Sequence, residues 1–347
     1  MTSTRVIERS VGGVAVAIMV LAPLLFTAYT VDQLLTQVLI FGIVAMSLVF
    51  LASYGGMVSL AQTAIFGIAG FVFGNMTTVD TKGLTLGYSP WAGIIPALLI
   101  ATGIGLVVGA LAARSTGIYF LMITLTYGVI AYLCFGQIEK ISGFGGISGI
   151  VPPDVIGSTD SHPHRLYYLT LVIAALLYLL IRYLIRTPFG IALQGVRDEP
   201  VRMSSLGYSV ALHRTLAFGF GALMASIAGL LFVWWNGHVD PQTIGLGATI
   251  NVLIIAVIGG MRRIEGAFVG ALAYVYINDR LAATDFSIGG QKLGTFNSLI
   301  GLIFLAIVLL SPDGLLGIWE RGLNKLNRRS SAAPPAAPPA ATVPSGD

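Results

Sequence analysis

The sequence predicts an all-α polytopic membrane protein with about ten transmembrane helices. Three observations predict it. Hydrophobic residues make up 56% of the 347-residue chain and charged residues 10%, against roughly 25% charged in a soluble domain, and the mean hydropathy is +0.87. Apolar runs near the ~20-residue bilayer-spanning length recur along the chain. Those runs, such as "LTLVIAALLYLLI" at 169–181, lack the alternation of a barrel strand, so helices must satisfy the backbone hydrogen bonds.

The spans are predicted, in order, at 13–30, 34–52, 56–76, 91–112, 117–136, 166–185, 214–235, 244–260, 266–279 and 296–311. No small-x-small cleavage site follows "APLLFTAYT", so the first span reads as a retained helix rather than a signal peptide. Lys and Arg set the orientation. Counting alternate loops places 14 of the 19 basic residues on one side and 5 on the other, which puts that first side, and both termini, in the cytoplasm. The net charge of +4 is explained by these helix-end clusters and needs no nucleic-acid partner. The expected organisation is a cytoplasmic N-terminus at 1–12, a transmembrane domain at 13–316 and a cytoplasmic Pro/Ala-rich tail at 317–347, whose composition cannot bury a core. Cys134 is the only cysteine. It forms no intrachain disulfide and reads as a buried, inert thiol.

The third span opens unusually. Residues 55–74, "GGMVSLAQTAIFGIAGFVFG", begin with Gly55 and Gly56, place Ser59, Gln62 and Thr63 in the next turns, and add Gly67, Gly70 and Gly74. Gly70-x-x-x-Gly74 is a small-residue spacing that lets helices approach closely. The glycine pair also fits a discontinuous helix, whose N-terminal N–H groups face a translocation path. In the fifth span Thr124 and Thr126 either bond back to a carbonyl one turn earlier or line a polar path. The long external loop 136–165 carries His162 and His164 without further ligands to complete a metal site, and reads better as a docking surface for an extracytoplasmic partner. The short spans 244–260 and 266–279 form a hairpin whose tip, "MRRIE", carries Arg262 and Arg263. Asn251 is one of its polar members, and Asp279 beside Arg280 reads as a surface ion pair.

The cytoplasmic loop 186–212 is the most informative segment. Thr187 is a possible N-cap and Pro188 fits the first helical turn. Phe189, Ala192, Leu193 and Val196 then share one helix face. Pro200, after Glu199, interrupts the helix, and a second short helix runs to Gly207. Gly190, Ala192 and Gly195 are small enough to admit a partner closely. Arg197, Asp198, Glu199 and Arg202 supply charge.

This loop resembles the coupling loop of ATP-binding-cassette importer permeases and, more narrowly, the branched-chain amino acid permeases of the LivM type. Phe189, Gly190, Ala192, Leu193, Arg197 and Gly207 match that pattern, while Gly195, Pro200 and Met203 depart from it. "YGGMVSLAQTAIFGIAGF" (54–71), "TGIYFLMITLTYG" (116–128), "GGISGI" (145–150) and "IIAVIGGMRRIEGAFVGA" (254–271) are similar too. In these, Ala61, Gln62, Arg262 and Arg263 replace commoner family residues. The resemblance spans about 30–312. It implies an importer in the inner membrane of a prokaryote. A second, LivH-type permease subunit, two cytoplasmic ATPases and an extracytoplasmic binding protein would complete it. It implies leucine, isoleucine and valine as cargo, with urea or another small amide or amino acid as the alternative. The chain has no G-x-x-x-x-G-K-[ST], so ATP would be bound by the partners, and no cofactor, metal or catalytic residue is expected in this subunit. Its remaining expected contact is membrane lipid. An ion-coupled secondary transporter is the second alternative. It is disfavoured because carboxylates such as Asp32, Glu139, Glu265 and Asp279 fall in loops or near helix ends rather than within spans.

Overall fold

A computed structural model describes residues 19–23, 27, 29–78, 86–153 and 163–282, with short pieces at 287–288, 291–292, 301, 305 and 314–317. Ten α-helices are named here: α1 (Thr36–Gly55), α2 (Gln62–Thr77), α3 (Pro90–Ala112), α4 (Ile118–Gln137), α5 (Pro163–Leu184), α6 (Pro188–Asp198), α7 (Pro200–Ser205), α8 (Val210–Asn236), α9 (Leu246–Gly259) and α10 (Glu265–Ala282). A π-helical stretch, Thr30–Leu35, runs straight into α1. Among the described residues five helices are long and apolar enough to cross a membrane: Thr30–Gly55, Pro90–Ala112, Ile118–Gln137, His164–Leu184 and Val210–Asn236. The chain is a mostly helical, multi-pass membrane protein.

The core is built on α1 and α8. Each is apolar around most of its circumference and mostly buried, as expected of a helix enclosed by others. α8 packs against α1, α2 and α3, and α1 also against α10, which pairs with α9. Lipid tails supply no hydrophobic drive between helices, so contact area must come from close backbone approach. Small residues provide it. Gly105 and Gly109 on α3 meet Ala222 and Phe218 on α8, and Gly229 on α8 lies against the Phe66 carbonyl on α2. In the α9–α10 hairpin, Gly259 faces the Gly266 carbonyl and Gly270 faces that of Ile255.

Contacts far apart in sequence sort the connections into two ends. At one end the Ser53 hydroxyl donates to the Met261 carbonyl. There, too, Tyr178 and Arg182 donate to Glu265 at 2.6 and 3.1 Å. At the other end His164 lies 3.1 Å from the Asp32 carboxylate and Trp235 donates to the Asp32 carbonyl at 3.0 Å. There β1 (Ile147–Ser148) also pairs antiparallel with β2 (His238–Val239). A second two-residue pair joins β3 (Ser287–Ile288) to β4 (Gln291–Lys292).

Several expectations change. The run 56–76 is not helical throughout: α2 starts only at Gln62, because Gly56 takes φ +64° and ends α1. The run 244–260 is a 3₁₀ turn, Pro241–Ile244, followed by a 14-residue helix. The run 266–279 is part of a longer helix that begins at Glu265. Cys134 is exposed rather than buried, since α4 buries only Phe120, Thr124, Gly128, Ala131 and Gly136. Asp279 accepts from Tyr29 at 3.3 Å and Arg280 lies 5.3 Å over the Tyr276 ring. His162, most of the spans 13–30 and 296–311, and the tail after residue 317 lie outside the described residues.

Candidate functional site

The break after α1 builds the first part of the site. With Gly56 left-handed, residues 57–61 run back along α1 in non-helical form, with Met57, Ser59 and Ala61 buried. Non-helical backbone at membrane depth survives only inside protein and with its N–H groups satisfied. Here the Leu60 N–H donates to Thr124 Oγ1 at 3.2 Å and the Ala61 N–H to Ser59 Oγ at 3.2 Å. Gln62 and Thr63 then begin α2, which has no side-chain cap. Ser47 donates to Gln62 Oε1 at 3.3 Å. Ser47 lies eight residues before Gly55, so Gln62 sits about 12 Å in from that end of α1. That is near half of the ~30 Å hydrocarbon thickness.

A second helix starts at the same depth from the opposite direction. α9, also without a side-chain cap, places Thr249 in its first turn, and Thr63 and Thr249 share a hydroxyl–hydroxyl hydrogen bond of 2.9 Å. Two helix N-termini, each with free N–H groups and positive dipole density, therefore abut in the middle of the bundle. Beside them is a cavity of about 130 Å³. Its apolar wall includes Phe41, Val44, Phe66, Phe232, Val252 and Ile255, and its polar groups come from Thr63, Thr243, Asn251 and Tyr274. The Gln62 Nε2 group is buried without a hydrogen-bond partner among the described residues.

The expected pathway residues separate on this geometry. Ser59, Gln62, Thr63 and Thr124 are buried around the break, and Asn251 lines the cavity with Thr63. Gly55 is buried at the end of α1. Thr126 is not with them: it is exposed and bonds back to the Met122 carbonyl at 2.8 Å. Thr124 bonds back as well, to Phe120 at 3.1 Å, while also accepting from Leu60.

Residues 186–212 form a separate unit at the α1 end. Thr187 Oγ1 accepts from the Gly190 N–H at 3.4 Å and Pro188 opens α6. Ala192, Leu193 and Val196 are buried and Phe189 packs on the core. Pro200 starts α7, and Gly207 follows it at φ +88°. Arg197 is the link to the membrane part. Its guanidinium donates to the Ser53 carbonyl in the last turn of α1, and a Cβ on Gly56 would stand 2.6 Å from its Cγ. It also binds Asp198 at 2.7 Å, which holds that carboxyl below the usual carboxylate range. The loop thus holds the residue that permits the break.

The model of the family described as "Branched-chain amino acid transport system / permease component" matches residues 30–310. The chain belongs to this permease family. Among its relatives is the high-affinity branched-chain amino acid transport system permease protein LivM of Escherichia coli K12, 25% identical over 90% of this chain and 76% of that protein. The probable LivM of Methanocaldococcus jannaschii is 24% identical over 80% of this chain and 84% of the relative. The LivH permease of Salmonella typhimurium is 25% identical over 76% and 86% respectively. No solved structure matches. Members of this permease family are transport subunits, not enzymes.

In this family member the small residues of the loop serve its own packing. Gly190 lies against the Leu184 carbonyl and Ile185, and Gly195 against the Met203 side chain, so neither is open to a partner. The exposed apolar surface of the loop comes instead from Ile191, Val201, Leu206 and Tyr208, with the charges of Asp198, Glu199 and Arg202 exposed among them. Sequence reasoning missed Ser47, Ser53, Thr249 and Tyr274. Hydroxyls inside apolar runs were the available signal, but which helix each would meet depends on the tertiary arrangement.

Proposed function

We propose that this chain is one transmembrane permease subunit of an ATP-driven importer whose cargo is leucine, isoleucine and valine. The observation that carries the reading is the family match across 30–310, joined to a permease-like geometry: a helix broken at mid-depth and held by a surface loop. A LivH-type permease subunit, two ATPases and an extracytoplasmic binding protein complete the machine. The basic residues support ten spans, with Arg197, Arg262 and Arg263 on the cytoplasmic side and the end carrying Asp32, His164 and β1–β2 outside. Both termini are then cytoplasmic, the permease domain is 13–316 and the tail is 317–347. The subunit sits in the inner membrane of a prokaryotic cell.

Closure of the ATPase pair pushes on α6–α7. Arg197 carries the displacement to Ser53 and Gly56, and the 57–61 segment moves with them. Ser59, Gln62, Thr63, Thr124 and Asn251 are thereby re-presented to the path. Affinity purification from native membranes in mild detergent tests the assembly, and uptake of radiolabelled branched-chain amino acids tests the cargo. Recovery of an ATPase and a second permease with ATP-dependent leucine uptake is the expected result. A chain that purifies alone and transports in ATP-free liposomes under an ion gradient overturns it.

A further inference from the structure

The cavity between α1, α2, α8, α9 and α10 has the chemistry of a small amphipathic ligand site. About 130 Å³ is close to the ~150 Å³ that suffices for benzene in an apolar protein interior. It therefore takes an isopropyl or isobutyl group and excludes much larger ones. Phe41, Val44, Phe66 and Phe232 form an apolar wall, while the Asn251 amide and the Tyr274 hydroxyl line the cavity too and make no side-chain hydrogen bond among the described residues. A buried or half-buried amide left unpaired costs stability unless a ligand or water uses it. Thr243, Ala248 and Asn251 keep partial exposure beside the exposed Leu246 and Gly247, so the cavity is reached past the first turn of α9.

We propose that this cavity is a side-chain selectivity pocket within the permease. It receives the branched aliphatic side chain of a neutral amino acid, and Asn251 meets the amino acid's polar end. This rests on the importer reading above and adds to it. The permease itself, and not only the binding protein that delivers cargo, discriminates by side-chain size. An apolar pocket separates ligands differing by one methylene by about 10-fold or more, so the pocket should separate leucine from valine.

The experiment is competitive uptake of valine and leucine by the complete complex in cells, with the ATPase recovered with each variant used to normalise for assembled complex. Ala248→Leu fills the pocket and Val44→Ala enlarges it. The expected result is a leucine-to-valine uptake ratio that falls about 10-fold in Ala248→Leu and rises in Val44→Ala. Val44→Ala removes two methyl groups and adds none, so it keeps the test decisive if Ala248→Leu fails to assemble. Opposite shifts in the two variants, or a raised ratio in Val44→Ala alone where Ala248→Leu does not assemble, support the pocket. An unchanged ratio in Val44→Ala, or equal loss of both cargoes, overturns it while leaving the importer reading intact. Absence of wild-type uptake of both amino acids overturns the importer reading and the pocket together.

Discussion

At the scale of single residues, Gln62 is the most informative. Its Nε2 is buried with no hydrogen-bond partner among the described residues, and Ser47, which donates to its Oε1, also donates to the Val44 carbonyl at 2.7 Å. Replacing a buried unsatisfied donor with an apolar side chain of similar size is neutral or stabilising. Gln62→Leu should therefore leave the folded protein at least as heat-stable as the wild type while lowering uptake. Unchanged uptake would remove Gln62 from the path. Arg197 and Gly56 make a second test, because they touch from opposite sides of one junction. Gly56→Ala forces a Cβ into the left-handed region, at roughly 1–2 kcal/mol, and into the Arg197 stem. Both it and Arg197→Ala should lower cargo moved per ATP hydrolysed while the ATPases still co-purify. Normal stoichiometry in either variant would show that this contact transmits nothing.

At the scale of elements, local chemistry was legible in the sequence and partner choice was not. Thr187, Pro188 and Pro200 mark the ends of α6 and α7 because caps and prolines act within a few residues. The glycine pair at 55–56 marked the end of α1 for the same reason. The span 56–76 misled because 57–61 is as apolar as a helix. Gly56 ends the helix, and what satisfies the Leu60 N–H in the non-helical stretch is the hydroxyl of Thr124, more than sixty residues away. Gly190 and Gly195 misled in the opposite way: smallness signals close approach, and the approach is by the chain's own backbone and Met203. The α9–α10 hairpin depends on such approach throughout. A side chain at Gly270 meets the Ile255 carbonyl directly, so Gly270→Leu should cost about 3 kcal/mol or more. It should appear as loss of the monodisperse peak in fluorescence-detected size exclusion, and a normal peak would contradict the packing described.

At the scale of the whole molecule, α4 is the least buried of the five membrane-length helices among the described residues. It presents Ile118, Tyr119, Met122, Val129, Ile130 and Leu133 outward and joins its neighbours mainly through α2, α3 and the 3₁₀ turn. The native Cys134 lies exposed on this helix and offers a label without any substitution. If α4 meets the second permease subunit, maleimide labelling of Cys134 should slow when the complex is intact and recover when that subunit is omitted. Equal rates would place the interface elsewhere.

The satisfied amide of Leu60 has a consequence for biosynthesis. Its acceptor, Thr124, is synthesised well after α2 has entered the membrane. Until then, residues 57–61 in their non-helical form would expose bare N–H groups to lipid, at a cost of several kcal/mol for each. The nascent segment must therefore enter as a continuous helix or wait at the interface, and unwind only once α4 arrives. The mid-depth break is thus a late-maturing feature, made after insertion, and its formation sets an order in which this membrane protein can be completed.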